Sequence, residues 1–228
     1  MDGTILDTID DLRNALNHSM ERFGHKSDFT AEEAKLFFDS GARTALLRAL
    51  LREAGVPLEQ LDLAGTPDAP LPQVSDAVLT EILDYYKPYY AAHCTIRTGP
   101  FPGIPELLAD LRRAGIRTAV VSNKPDPAVQ KLCIAYFPDC FDYISGEKPG
   151  VRRKPAPDMI EQALTALGVS REEAVYIGDT KIDLLTSKGA GLDCICVDWG
   201  FRPRSFLLQE GARAVASTPR QLQKLLLG

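Results

Sequence analysis

The first part of the chain repeats its apolar side chains with the period of an α-helix. One stripe recurs at steps of three and four residues, and Gly24 follows it as a stop signal. The stripe consists of Leu12, Leu16, Met20 and Phe23. The same kind of pattern predicts helices at 30–38, 46–54 and about 75–90, with a capping box of Thr30 and Glu33 opening the first of these. The stretch 65–73 is predicted to be a loop, and no strand is predicted between residues 10 and 92.

After about residue 93 the pattern changes to short β-rich apolar runs that alternate with helices. Strands are predicted at 116–121, 141–144, 174–177, 194–197 and 213–216, and helices at 104–113, 127–136, 158–167, 181–188 and 221–227. Such alternation is typical of a parallel sheet covered by helices. We therefore predict an α/β fold, with a Rossmann-like parallel sheet in a core of residues 1–10 and 93–228. A small all-helical cap of residues 11–92 is inserted near the N-terminus, a position typical of an active-site lid.

Composition and charge exclude several classes of protein. The chain has 228 residues, of which 45% are hydrophobic and 25% charged, as in ordinary globular domains. A net charge of −5 without a Lys/Arg block argues against nucleic acid as a partner. No apolar run is long enough to span a membrane, and the start lacks the pattern of a signal peptide. Five cysteines without a C-x-x-C pair indicate free thiols. We expect a cytoplasmic monomer or homodimer with no membrane partner.

Two carboxylates mark the end of the predicted strand 174–177. Ligands of parallel sheets bind at the carboxyl ends of the strands, so the residues there are candidates for a site. Asp179 follows the strand, and Asp183 lies in the first turn of the next helix. Carboxylate oxygens are ligands that Mg²⁺ prefers. The alternative is that Asp179 caps the helix and Asp183 is a solvated surface acid.

A second group of residues suits an anionic ligand. Ser122 follows the predicted strand 116–121, and its hydroxyl and the backbone N–H of Asn123 are suitable donors to a phosphate oxygen. Lys154 precedes a Pro-x-Pro corner and offers a positive point charge. Taken singly, a strand-end serine is more often a turn residue and a loop lysine is more often solvated. Their occurrence in order with Asp2 and the two later acids favours a site.

Four segments resemble the four motifs of the haloacid dehalogenase superfamily of phosphohydrolases. They are Asp-Gly-Thr-Ile-Leu-Asp from Asp2, Val-Val-Ser-Asn-Lys from Val120, Arg-Lys-Pro-Ala-Pro-Asp from Arg153 and Gly-Asp-Thr-Lys-Ile-Asp from Gly178. The resemblance covers nearly the whole chain. The segments 98–103, 122–126 and 199–201 are similar to the phosphoglycolate phosphatase-like branch.

The resemblance implies a Mg²⁺-dependent phosphatase for a small phosphorylated metabolite, with 2-phosphoglycolate as the best candidate. The family's nucleophile forms an aspartyl-phosphate and lies two residues before the Asp of Asp-Gly-Thr, a position that precedes Met1 here. The central strand of the sheet would precede Met1 as well. We therefore expect about six to ten further residues upstream, nearly one strand. For a chain that starts at Met1, we expect weak folding and no turnover.

The resemblance also implies a role for each motif residue. Asp2 would be the catalytic acid and base, and its backbone carbonyl would hold Mg²⁺ together with the carboxylate of Asp179 and the upstream nucleophile. Asp183 belongs to the same metal site, where it would orient a metal-bound water or Lys154. Lys154 would act in catalysis and bind the phosphoryl oxygens. It would share this binding with Ser122 and the amide of Asn123.

Substrate choice is expected to lie in the cap. Arg43 follows a predicted helix–loop–helix turn, and its guanidinium could pair with a substrate carboxylate. The alternative is a surface arginine at the start of a helix.

Three other functions stay open. The first two are a phosphomutase and a pyrophosphatase, which would share the same core. A dehalogenase is disfavoured, because it would not need the acid of Asp-Gly-Thr or the Mg²⁺ acids. If the chain truly starts at Met1, a catalytically inactive phosphate- or partner-binding protein is the third possibility.

Overall fold

The computed structural model describes residues 1–64 and 71–228, which form two compact units. One comprises Met1–Asp7 and Gly99–Gly228 and is called the α/β unit below. The other comprises Thr8–Thr98 and is called the helical unit. The boundaries between the units follow Asp7 and Thr98. The sequence analysis places them a few residues away, after residues 10 and 92.

In its described residues, the helical unit consists of four α-helices and a 3₁₀ turn. The helices are α1 (Ile9–Arg22), α2 (Ala31–Phe37), α3 (Ala42–Glu53) and α4 (Asp76–His93), and the turn spans Leu58–Leu63. All four predicted helices are confirmed, and the turn was not predicted. The capping box is present, because Thr30 accepts from the Glu33 N–H at 3.2 Å and donates its own N–H to Glu33 at 3.0 Å. Residues 65–70 of the predicted loop lie outside the described residues.

The α/β unit contains seven strands and six helices. The strands are β1 (Leu6–Asp7), β2 (Gly99–Pro100), β3 (Ala119–Pro125), β4 (Tyr143–Glu147), β5 (Val175–Gly178), β6 (Asp193–Val197) and β7 (Ala214–Ala216). The helices are α5 (Ile104–Arg113), α6 (Asp126–Tyr136), α7 (Asp158–Leu167), α8 (Lys181–Ala190), α9 (Arg204–Gln209) and α10 (Pro219–Leu227). Across the described ranges of the chain, no helix is both long and apolar enough to cross a bilayer.

The strands that carry the core are parallel, as the alternating pattern predicts. Strand β3 pairs with β4, and β5, β6 and β7 pair in that order. The short strands β1 and β2 form a separate antiparallel pair. The predicted α/β fold class is therefore confirmed.

In the α/β unit, the short strands β1 and β2 were not predicted, and strand β3 and helix α9 also depart from the sequence prediction. Strand β3 begins at Ala119, because its partner strand β4 begins at Tyr143. It extends to Pro125, which pairs with Glu147. Ser122 and Asn123 therefore lie inside β3, where the register shifts, and the prediction that Ser122 follows the strand is wrong. Helix α9 was not predicted, because it has six residues and only Leu207 is buried, so no apolar period forms.

An apolar cavity of about 420 Å³ lies inside the α/β unit. Its walls come from β3, β5, α5, α7 and α10, and Met1 also lines it. In the described part of the chain, β3 and β5 are not hydrogen-bonded to each other.

Candidate active site

The end of β5 turns directly into α8 and buries two carboxylates. Asp179 is 1% exposed and Asp183 is 4% exposed. Asp183 closes the turn, because one of its oxygens accepts the N–H of Asp179 at 3.2 Å and the N–H and hydroxyl of Thr180 at 3.1 and 2.8 Å. The close approach requires glycine at position 178, where a Cβ would lie 2.3 Å from the Asp183 side chain.

Lys154 reaches this turn from the loop before α7. Its Nζ lies 2.7 Å from the other oxygen of Asp183, and it donates to the Tyr176 hydroxyl at 3.2 Å. The Tyr176 hydroxyl donates to the same Asp183 oxygen at 3.1 Å. The Asn123 side chain accepts from the Lys154 N–H at 2.9 Å and donates to the Lys154 carbonyl at 3.0 Å. Lys154 is therefore held both at its backbone and at its amine.

The pair of Lys154 and Asp183 is charged at neutral pH. Burial lowers the pKa of the Lys154 amine, but the Asp183 carboxylate and Tyr176 outweigh this effect and the pKa is raised overall. Burial raises the pKa of Asp183, but the charge and hydrogen bond of Lys154 outweigh it and lower the pKa to about 2. The site therefore contains a fixed buried cation.

Asp179 is bound only by neutral donors among the described residues. Its oxygens accept the Thr4 hydroxyl at 2.8 Å and the Phe201 N–H at 2.9 Å. Burial, and after it the charge of Asp183, raise the pKa of Asp179 to about 7. The ionised form of this carboxylate is thus costly in the protein as it stands.

Thr4 connects the beginning of the chain to this acidic turn. Its carbonyl accepts from the Trp199 indole at 3.0 Å, and its hydroxyl binds Asp179. Gly3 has a φ of +71°, and a Cβ there would lie 2.1 Å from an Asp179 oxygen, so only glycine fits. Asp2, whose side chain is 19% exposed, lies 3.1 Å from the buried Lys124 amine. The first motif therefore converges with the fourth.

The structure thus brings together most of the predicted site residues. Asn123, Lys154 and Asp183 are in direct contact, and Thr4 connects the Asp2 segment to Asp179. Ser122 is buried next to Asn123, and its hydroxyl accepts from the Lys124 N–H at 3.2 Å. Their roles stay predictions.

Arg43 lies in the helical unit, where it donates to two residues of α4. Its guanidinium contacts Asp76 at 2.8 Å and Thr80 at 3.4 Å. Both side chains of the Arg43–Asp76 pair are substantially exposed. Its contact with a substrate carboxylate stays a prediction.

Three residues of the site were missed by the sequence reasoning. They are Thr4, Lys124 and Tyr176. The first two lie within quoted motifs, which is a signal that could have singled them out. Tyr176 lies in an apolar run that predicts a buried strand. That pattern predicts core packing for a tyrosine but no partner for its hydroxyl.

The carboxylate oxygens of Asp179 suit a hard divalent cation. No group of three or more His, Cys, Asp or Glu side chains in the described ranges is arranged to hold a metal. Mg²⁺ needs only one or two protein carboxylates, however, because it keeps several waters. Each Asp179 oxygen accepts one hydrogen bond from the contacts above, which leaves acceptor capacity for a cation. The oxygens of Asp183 accept five hydrogen bonds, so this geometry favours an orienting role for Asp183 over direct ligation.

Comparison with known proteins identifies the family. Residues 1–197 match the family described as haloacid dehalogenase-like hydrolase. The chain therefore belongs to this family of hydrolases, as its motifs predict.

Individual relatives fall in the phosphatase part of that family. A crystal structure of a candidate phosphoglycolate phosphatase from Lactobacillus delbrueckii subsp. bulgaricus is 49% identical, with a TM-score of 0.98 over 100% of this chain and 96% of that one. The phosphoglycolate phosphatase of Colwellia psychrerythraea is 28% identical over 97% of this chain and 92% of its own length. The N-acetylmuramic acid 6-phosphate phosphatase of Pseudomonas aeruginosa is 30% identical over 99% and 92%. The resemblance to the phosphoglycolate phosphatase-like branch is thereby confirmed.

Proposed function

We propose that this chain is a Mg²⁺-dependent phosphatase that hydrolyses a small phosphorylated metabolite, with 2-phosphoglycolate as the leading candidate. The observation that carries the proposal is the buried pair of Lys154 and Asp183 beside the buried carboxylate of Asp179. It offers a fixed cation for a phosphoryl group and an oxygen ligand for a metal ion. The relatives named phosphoglycolate phosphatase support the choice of substrate.

Lys154 is proposed to bind the transferring phosphoryl group. Phosphate esters react slowly because negative charge shields the phosphorus, and a fixed positive charge removes part of that barrier. A lysine ammonium has three donors, and two of them are directed at Tyr176 and Asp183. The third is proposed to meet a phosphoryl oxygen, together with the Ser122 hydroxyl and the backbone N–H of Asn123. The Asn123 side chain itself is engaged with the Lys154 backbone.

Asp2 is proposed to move the protons of the reaction. The attacking carboxylate of the family motif belongs two residues before Asp2, outside the 228 residues, and forms an aspartyl-phosphate as the ester bond breaks. Asp2 gives its proton to the leaving oxygen and then takes one from the water that hydrolyses the aspartyl-phosphate. The Asp179 carboxylate and the Asp2 carbonyl would hold Mg²⁺, which would supply charge neutralisation at the phosphoryl oxygens. Asp183 keeps Lys154 in place.

The helical unit is proposed to select the substrate. It is inserted between the two segments of the α/β unit, an arrangement typical of caps. Arg43 at the start of α3 is the candidate contact for a substrate carboxylate.

The direct test is turnover in the presence and absence of magnesium. The 228-residue chain and the product of the reading frame continued upstream of Met1 are assayed on 2-phosphoglycolate, sugar phosphates and pyrophosphate. We expect the extended product to prefer 2-phosphoglycolate and to lose turnover with EDTA. Asp2→Asn should lower its turnover by about 100-fold or more while the chain still folds.

Asp193→Asn is the matched control, because Asp193 is exposed at the start of β6 in the same unit. Turnover that ignores EDTA, or an Asp2→Asn variant with near-normal rates, would contradict the proposal. A preference for pyrophosphate or a sugar phosphate would replace the substrate.

A further inference from the structure

Tyr176 joins an apolar cluster at one end and the polar site at the other. The residue is 9% exposed, and it packs in one cluster with Ile160 and Ala190. Its hydroxyl stands in a closed triangle with Lys154 and Asp183, whose sides are 2.7, 3.1 and 3.2 Å. A phenylalanine would fill the apolar cluster equally well, so packing alone does not account for the hydroxyl.

We propose that Tyr176 is a positioning residue that fixes the direction of the Lys154 amine toward a bound phosphoryl group. This inference rests on the proposed function, because it assigns Lys154 the same ligand. Tyr176 itself is not proposed to touch the substrate.

The mechanical reason lies in the length of a lysine side chain. Its four-carbon stem has several rotatable bonds, and ordering them opposes binding. With Asp183 as a single partner, the ammonium could rotate about one contact. A second acceptor at a fixed place defines two N–H directions and therefore the third. Asn123 holds the backbone end of Lys154 by two hydrogen bonds, so the whole side chain is restrained.

The hydroxyl suits this task because it stays protonated. Burial raises the pKa of Tyr176, so the group remains a neutral hydroxyl at working pH. It can then donate to Asp183 and accept from Lys154 at the same time, which a phenolate could not do.

The test is equilibrium binding of inorganic phosphate to the full chain, measured by calorimetry without turnover. Tyr176→Phe should weaken phosphate binding about three- to tenfold, the range that corresponds to one hydrogen bond. Tyr143→Phe is the matched control, because Tyr143 is a half-buried strand tyrosine on β4 of the same unit. It should leave phosphate binding unchanged.

A double-mutant cycle separates positioning from a general structural effect. In a Lys154→Met background, Tyr176→Phe should produce no further loss of phosphate affinity, because the amine that it positions is gone. An equal loss in both backgrounds would overturn the inference, as would an unchanged affinity in the single variant.

The outcomes also distinguish this inference from the proposed function. Hydrolysis by wild type with unchanged phosphate affinity in Tyr176→Phe refutes only the positioning role. In the product continued upstream of Met1, phosphate binding without hydrolysis, weakened by Tyr176→Phe, supports the positioning role and refutes the phosphatase. If wild type does not bind phosphate, both fail.

Discussion

Replacement of Asp179 by asparagine should stabilise the metal-free protein at alkaline pH. The carboxylate is 1% exposed, and its pKa is raised from 3.8 to about 7 by burial and by the neighbouring Asp183. The folded protein therefore holds the Asp179 proton more tightly than the unfolded chain. Between pH 4 and pH 7 it carries more protons than the unfolded chain, so the free energy of unfolding falls as the pH rises through this window. The whole loss is present above about pH 7.

The magnitude follows from the size of the shift. At 1.36 kcal/mol per pKa unit, a shift of about three units destabilises the protein by about 4 kcal/mol at pH 8. In Asp179→Asn the amide oxygen still accepts the Thr4 hydroxyl, but the amide nitrogen cannot accept the Phe201 N–H. That loss costs about 1–3 kcal/mol. The variant should therefore gain about 1–3 kcal/mol at pH 8 and lose about as much near pH 4.

Urea unfolding followed by Trp199 fluorescence measures this difference. Wild type, Asp179→Asn and the exposed-site control Asp193→Asn are compared in EDTA at pH 4 and pH 8. Addition of Mg²⁺ at 100 times its dissociation constant should stabilise wild type by about 2.7 kcal/mol and leave Asp179→Asn unchanged. A variant less stable than wild type at pH 8, or equally displaced at both pH values, would refute the reasoning.

Two further predictions concern the helical unit. Arg48 is 4% exposed and contacts the buried Asp39 carboxylate, so Arg48→Met should lower the free energy of unfolding by about 3–5 kcal/mol in urea titrations. Arg52→Met, at a more exposed arginine, should lower it clearly less, and equal losses would contradict the argument. Arg43→Ala should raise the KM for 2-phosphoglycolate much more than the KM for an aryl phosphate, with little change in stability because its pair with Asp76 is exposed. Equal effects on the two substrates would remove Arg43 from substrate selection.

Helices with clear ends could be predicted from the sequence almost to the residue. The bounds of α5 and α7 agree with their predicted ranges of 104–113 and 158–167. Both carry strong apolar stripes, and Gly168 ends α7 in the left-handed conformation that glycine favours. Strand β3 was displaced because its length depends on β4, a partner 24 residues away at the first pair, Ala119 and Tyr143. Local pattern carries no information about that partner.

The residues of the candidate site likewise include some that could be predicted from the sequence and some that could not. Asp179, Asp183 and Lys154 could be selected because they occur in order with Asp2 and Ser122, in segments that resemble the family's motifs. Tyr176 could not, because a tyrosine in an apolar strand pattern is read by its apolar character. Which partner its polar atom meets depends on the tertiary structure, here the approach of the Lys154 loop to β5.

The pKa values of Asp179 and Asp183, four residues apart, are shifted in opposite directions. The reason for the difference indicates what kind of ligand Asp179 suits. Asp183 has Lys154 as a partner, and its charge is stabilised. Asp179 receives hydrogen bonds from the neutral Thr4 hydroxyl and Phe201 N–H, which stabilise a charge less than an ion pair does. At alkaline pH, a metal-free chain optimised only for stability would have an asparagine at this position, as the first prediction states. If Asp179 holds the proposed magnesium ion, the gain in stability at alkaline pH and the loss of magnesium binding should appear together in Asp179→Asn.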